Sequence, residues 1–167
     1  MIGAILNIRG LGRPGRKQAL ADLILDYKLE FVGIQETKKE KIDDSFLSFV
    51  SGYLEFKWCS LPAKGSAGGI LVGLRDDLFE IVSYSCGSFC VSVQVLNKTD
   101  AFIWNLIVVY GTAYAEFKLD FFVELHEVME RNPLPTLIGG ISMLLGFPMR
   151  KIMVILTTNG RLCLMIG

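Results

Sequence analysis

The sequence predicts an α/β protein in which mixed β-sheets are covered by outer helices. Three observations carry this expectation. The chain opens with a strand, a helix and a second strand; about five strand-like runs follow between Tyr53 and Tyr110; a helix and one more strand close the order. A block of consecutive strands between two βα units excludes a doubly wound parallel sheet. At 167 residues the chain has the size of one domain and can bury a real core.

The elements follow in order. "GAILNI" reads as the first strand, and Pro14 suits the first turn of a helix whose apolar stripe is Ala19, Leu20, Leu23, Ile24 and Tyr27. "FVGIQ", residues 31–35, is a second strand that ends at Glu36. Residues 43–51 suit a short helix capped by an Asp or Ser. The runs "YLEFKWCS", "GGILVGL", "FEIVSYS", "FCVSVQVL" and "AFIWNLIVVY" read as a meander, separated by Gly, Asp and Asn-Lys-Thr-Asp turns. A helix over roughly 114–131 places Leu119, Phe122, Leu125 and Met129 on one side, Asn132-Pro133 stops it, and "LPTLIG" is a further strand.

Composition narrows the classes. The hydrophobic fraction is 51% and the mean hydropathy +0.45, yet no apolar run approaches the ~20 residues of a membrane span. "AFIWNLIVVY", the longest, contains Asn105 and reads as a buried strand. "MIGAILNIRG" lacks the basic start of a signal peptide, so an intracellular protein, nuclear or cytoplasmic, is expected. Cys59, Cys86, Cys90 and Cys163 show no paired metal-ligand spacing, as expected for free thiols in a reducing compartment. Net charge is zero, but basic residues cluster at Arg9, Arg13, Arg16 and Lys17 and again at Lys38, Lys39 and Lys41, which by charge alone suits solvated loops.

Three constellations bear on chemistry. Gly10, Gly12 and Gly15 have dinucleotide-loop spacing after a strand, with Glu36 at the end of the next. Pro14 and two arginines crowd that loop, Glu36 falls late, and the strand block contradicts repeated βαβ units. A plain glycine turn is the better reading. Asn7 and Glu36 end strands that, if parallel neighbours, open on the same side; a carboxylate beside a carboxamide suits Mg²⁺ rather than zinc, and a solvated acid is the alternative. Tyr110 ends a long apolar strand before Gly111, where a phenol can reach a phosphate or simply sit at the rim. His126, beside Glu124 and Glu127, reads as a solvated helix residue, and "AKGSAGG" does not match a P-loop.

Taken together and in this order, "LNIRGLG", "FVGIQETK", "GSAGGILVGL", "VYG" and "LPTLIGG" resemble the endonuclease/exonuclease/phosphatase superfamily. Within it the likeness is to the endonuclease domain of plant LINE-type (non-LTR) retrotransposons, over about residues 2–140. Leu6 departs from the family, which usually has Trp before the Asn. The resemblance implies a four-layer α/β sandwich of two mixed sheets with outer helices, and Mg²⁺-dependent hydrolysis of a DNA phosphodiester. It further implies that Asn7 positions the phosphate and lies at the metal, that Glu36 is the metal ligand, and that Tyr110 contacts the scissile phosphate. An inositol-phosphate phosphatase is the less favoured member class.

After the Gly-Gly of "LIGG" the family has Asp-Phe-Asn, whose Asp and Asn activate water and hold the transition state; here Ile141, Ser142 and Met143 follow. The family's later Ser-Asp-His segment has no counterpart. The codons ATT-TCA-ATG for Ile-Ser-Met, preceded by one G, read Asp-Phe-Asn. In the same shifted frame Met153-Val154 yields a Gly and Met165-Ile166 an Asp. These coincidences predict a one-base deletion at codon 141. The expected organisation is therefore residues 1–140 as the N-terminal part of the domain, incomplete in its second sheet, and 141–167 as an out-of-frame tail that forms no domain. A chain of this kind is expected to be catalytically silent, with nucleic-acid binding or a functionless relic as the alternatives.

Overall fold

The computed structural model describes residues 1–64, 68–111, 115–131 and 133–140, together with the backbone of 153–158 and 161–166. Its strands are β1 (Ile2–Asn7), β2 (Phe31–Gln35), β3 (Phe56–Leu61), β4 (Ile70–Arg75), β5 (Phe79–Cys86), β6 (Cys90–Asn97), β7 (Ile103–Val109), β8 (Thr136–Gly139), β9 (Met153–Thr158) and β10 (Arg161–Ile166). The helices are α1 (Arg16–Asp26), α2 (Asp44–Ser51) and α3 (Lys118–Arg131), the last preceded by a 3₁₀ turn at Ala115–Phe117. One sheet runs β10-β9-β1-β2-β4-β3 and the other β5-β6-β7-β8. Both are mixed, because β1 and β2 pair in parallel, as do β7 and β8, while the remaining pairs are antiparallel. The predicted sandwich of two mixed sheets with outer helices is the observed fold.

The period of two along each strand sorts side chains into layers. Ile5 of β1, Phe31 of β2 and Val72 and Leu74 of β4 face Val91, Val93, Val95, Trp104, Leu106 and Val108 of the other sheet. The alternate residues Ala4, Leu6, Val32 and Ile34 face Leu20 and Ile24 of α1 and Val50 of α2. On the far side, Cys90, Ile107 and Val109 face Phe121 of α3. The layers are thus helix, sheet, sheet and helix. Glycine has a packing role at Gly33, where an added Cβ would lie 2.9 Å from Val108 and hold the sheets apart.

Several expectations are corrected. The five central strands are not one meander: β3 and β4 join β2, and the chain crosses to the second sheet after Arg75. Pro14 lies ahead of α1 rather than in its first turn, because Gly15 takes a left-handed conformation (φ 78°) at the N-cap. Asp43 occupies the N-cap of α2, though its side chain makes no capping hydrogen bond. On α3 the expected stripe is largely the solvent face: Leu119 is 71% exposed and Phe122 54%, and Met129 is exposed as well. Phe121, with Leu125 and Val128, faces the sheet instead. Glu124 explains this rotation, since its carboxylate accepts the backbone N–H groups of Ser88 (2.8 Å) and Phe89 (2.9 Å) at the β5–β6 turn.

No structure follows from the sequence for 141–167, yet the backbone places β9 antiparallel on β1, with β10 antiparallel on β9. An apolar, β-prone segment pairs readily with an open sheet edge. The hairpin adds to the first sheet. Residues 141–152 and Asn132 lie outside the described residues. No helix among the described residues is long and apolar enough to cross a membrane.

Candidate active site at the C-terminal edge of the sheets

The parallel pairing of β1 and β2 sets Asn7 opposite Gln35, so the residues that end both strands share one edge. Asn7 continues the inner row of β1 after Gly3 and Ile5, and Tyr110 continues that of β7 after Leu106 and Val108. Their polar side chains therefore both lie at the rim of the inter-sheet core. Asn7 Nδ2 donates to Glu36 Oε1 at 2.9 Å, and Asn7 Oδ1 accepts the Arg9 backbone N–H at 3.2 Å. The amide, held from both ends, orients the carboxylate. Burial, the Glu36 charge and a hydrogen bond to Glu36 push the Tyr110 phenol up to about 12 from its ordinary 10. Asn7, Glu36 and Tyr110 are thus brought together, each of them half-buried.

Backbone geometry at this edge is unusual. Arg9, Glu36 and Lys38 all have positive φ without being glycine (50°, 53° and 53°). Such residues carry ~1–3 kcal/mol of strain each and gather at functional sites. The two loops run together: Ile8, Gly10 and Leu11 donate to the carbonyls of Gln35, Glu36 and Thr37. This pairing brings the loops of Arg9 and Lys38 together, and an added Cβ on Gly10 would touch the Lys38 side chain at 3.4 Å; Lys17 lies instead over the Phe49 ring of α2, 4.2 Å from its centroid. Arg9, Arg13, Lys38, Lys39 and Lys41 are exposed, and none of them forms an ion pair among the described residues. Thr37 is 1% exposed, and its hydroxyl has no hydrogen-bond partner among the described residues.

Other candidates lie elsewhere. Gly12 faces open space, and Gly10 serves the loop pairing. His126 is exposed on α3. Sequence reasoning missed Gln35 and Thr37, although a Gln at an inner position of the apolar strand "FVGIQ" was the signal for the first. Among the described residues no three His, Cys, Asp or Glu side chains gather as a metal-binding group. The donors present, one carboxylate and one carboxamide, fit a hard cation that keeps much of its water, as Mg²⁺ does.

Known structures share the fold. The catalytic domain of human Nocturnin, solved with a bound sulfate anion, superposes with a TM-score of 0.65 at 13% identity, covering 83% of this chain and 62% of that one. An AP endonuclease from Leishmania major gives 0.59 at 14% identity, covering 78% and 48%. A mannosyl-6-phosphatase from Bacteroides thetaiotaomicron gives 0.57 at 15%, covering 83% and 63%. The chain therefore spans less than two thirds of each of these structures. No curated protein matches its sequence. The model of the endonuclease/exonuclease/phosphatase family matches residues 4–140, the span that builds both sheets up to β8 and carries Asn7, Glu36 and Tyr110, and the chain belongs to that family.

Proposed function

We propose that residues 1–140 carry the N-terminal part of a Mg²⁺-dependent DNA endonuclease domain of the plant LINE-type retrotransposon kind, and that the chain as it stands is catalytically silent. The observation that carries the reading is the Asn7–Glu36 pair, 2.9 Å apart at an edge where the loops of Arg9 and Lys38 run together. Glu36, with Asn7 beside it, would hold the cation, which when bound neutralises charge developing on phosphoryl oxygens. Asn7 keeps the carboxylate oriented and Tyr110 offers its phenol to a phosphate oxygen. Arg9, Arg13 and Lys38 attract the polyanion.

What the site lacks is the base. Ile141, Ser142 and Met143 bring no acid, amide or histidine to the end of β8. Loss of a water-activating acid lowers a rate by ~10²–10⁴. The proposed origin is a one-base deletion at codon 141. Plasmid nicking with Mg²⁺ tests the reading: the present chain gives no nicked circles above background. The product of a gene with one G restored before codon 141, which reads Gly-Gly-Asp-Phe-Asn, nicks at least ~10²-fold faster. Nicking by the present chain, or none by the restored one, overturns it. Cys59, Cys86 and Cys90, all free thiols, suit a nuclear or cytoplasmic location.

The exposed arginines of the first loop favour a second reading, a non-catalytic fragment that binds DNA through Arg9, Arg13 and Lys17, the last leaving the Phe49 ring to do so. Binding must then weaken as salt rises, and replacing those three by Ala lowers the slope of log K against log salt by ~0.9 for each phosphate no longer neutralised. A salt-independent signal, or none, leaves only a relic without function.

A further inference from the structure

We propose that Gln35 is a positioning residue whose carboxamide clasps the ends of β7 and β8 and thereby holds Glu36 of one sheet against Tyr110 of the other. The inference deepens the metal-site reading and rests on it only for what the site binds. Gln35 follows Phe31 and Gly33 on the inner row of β2, so the pleat aims it between the sheets. It is 2% exposed. Its Nε2 donates to the Val109 carbonyl and to the Gly140 carbonyl at 2.8 Å. Three strand ends thus converge on one nitrogen.

The neighbours give the clasp its consequence. Glu36 follows Gln35 directly, and Tyr110 follows Val109. The two side chains come from different sheets, and no backbone ladder joins β2 to β7. The amide supplies the missing link at that edge. Gly140 closes over it with φ 105°, and a Cβ there would fall on the Gln35 amide and the Val109 carbonyl. A buried amide that merely satisfied two carbonyls would stabilise the fold and leave the Glu36–Tyr110 contact unchanged. A positioning amide governs that contact.

The test uses the full chain with 3-fluorotyrosine in place of tyrosine, read by fluorine NMR, the Tyr110 resonance being assigned with Tyr110→Phe. Glu36→Gln should displace the Tyr110 resonance in the otherwise native chain. In Gln35→Leu, or in the less disruptive Gln35→Asn, that displacement should fall by about half or more, because coupled residues respond non-additively. A thermal melt and unmoved Tyr27 and Tyr84 resonances certify the fold. A full displacement in either folded variant overturns the proposal. Mn²⁺ titration separates it from the metal reading: Gln35→Asn should weaken Mn²⁺ binding ~10–100-fold, as loss of a ligand's supporting partner does. If the native chain shows no Mn²⁺ effect, the metal reading fails, and the fluorine displacement still decides the clasp.

Discussion

Strands β2 and β8 end at the same edge of the molecule, each in a left-handed residue, and they differ in the side chains just beyond. β2 runs into Gln35, Glu36 and Thr37, and the first two have side chains engaged across the rim. Glu36 accepts φ 53° despite its Cβ. β8 runs into Gly140 at φ 105° and then Ile141, Ser142 and Met143. Both ends turn through a residue of positive φ, and on the proposed function only the first supplies side chains to the site. A fold of this kind does not depend on its chemistry, because the core that aligns the strands lies one layer below the groups that react.

The largest expected effect breaks both ends together. Phe31 is fully buried, makes an edge contact with Trp104 of the other sheet at 6.1 Å, and lies over Gly3. Phe31→Ala should destabilise by ~3–5 kcal/mol, read by urea denaturation, since the site edge is aligned by this packing. A loss under ~1 kcal/mol would show that the sheets are held together elsewhere.

A reciprocal exchange sharpens the comparison. Gly140→Ala should cost ~1–3 kcal/mol, because a Cβ at positive φ is strained and here also meets the Gln35 amide. Glu36→Gly should be more stable than Glu36→Ala by ~1 kcal/mol, since glycine relieves the strain while both variants forgo the Asn7 hydrogen bond. Equal stability of the two Glu36 variants would mean that no strain is stored there. The smallest effect belongs to α3: Leu119→Lys should change stability by no more than ~0.5 kcal/mol, because its side chain faces water. A loss above ~2 kcal/mol would place that face against something.

Helix α3 also shows why part of the structure was not legible. Its apolar residues form two stripes, one with Leu119 and Phe122 and one with Phe121, Leu125 and Val128. Helical periodicity identifies both and cannot choose between them. The choice was made by Glu124, whose carboxylate binds a turn 35 and 36 residues earlier in the chain. The same holds for the central strands. Each was visible from its alternation and turns, but the crossing from β4 to β5 between sheets is a pairing decision that no local pattern records. Asn7 and Glu36 were legible because strand ends and residue types suffice to suggest an oxygen-rich edge. Gln35 was overlooked because its partners, Val109 and Gly140, lie 74 and 105 residues away.

The sequence by itself determined the element types as far as β8, the outer helices, the mixed-sheet class and the absence of an acid after the Gly-Gly. These properties rest on periodicity, turn chemistry and residue identity, all of which are local. Tertiary structure alone decided which face of α3 is buried, where the strands divide between sheets, and how the loops of Arg9 and Lys38 come to run together. It also decided that a single buried amide joins the two halves of the site edge. These are long-range pairings, fixed by which surfaces exclude water from each other and which buried polar groups find partners.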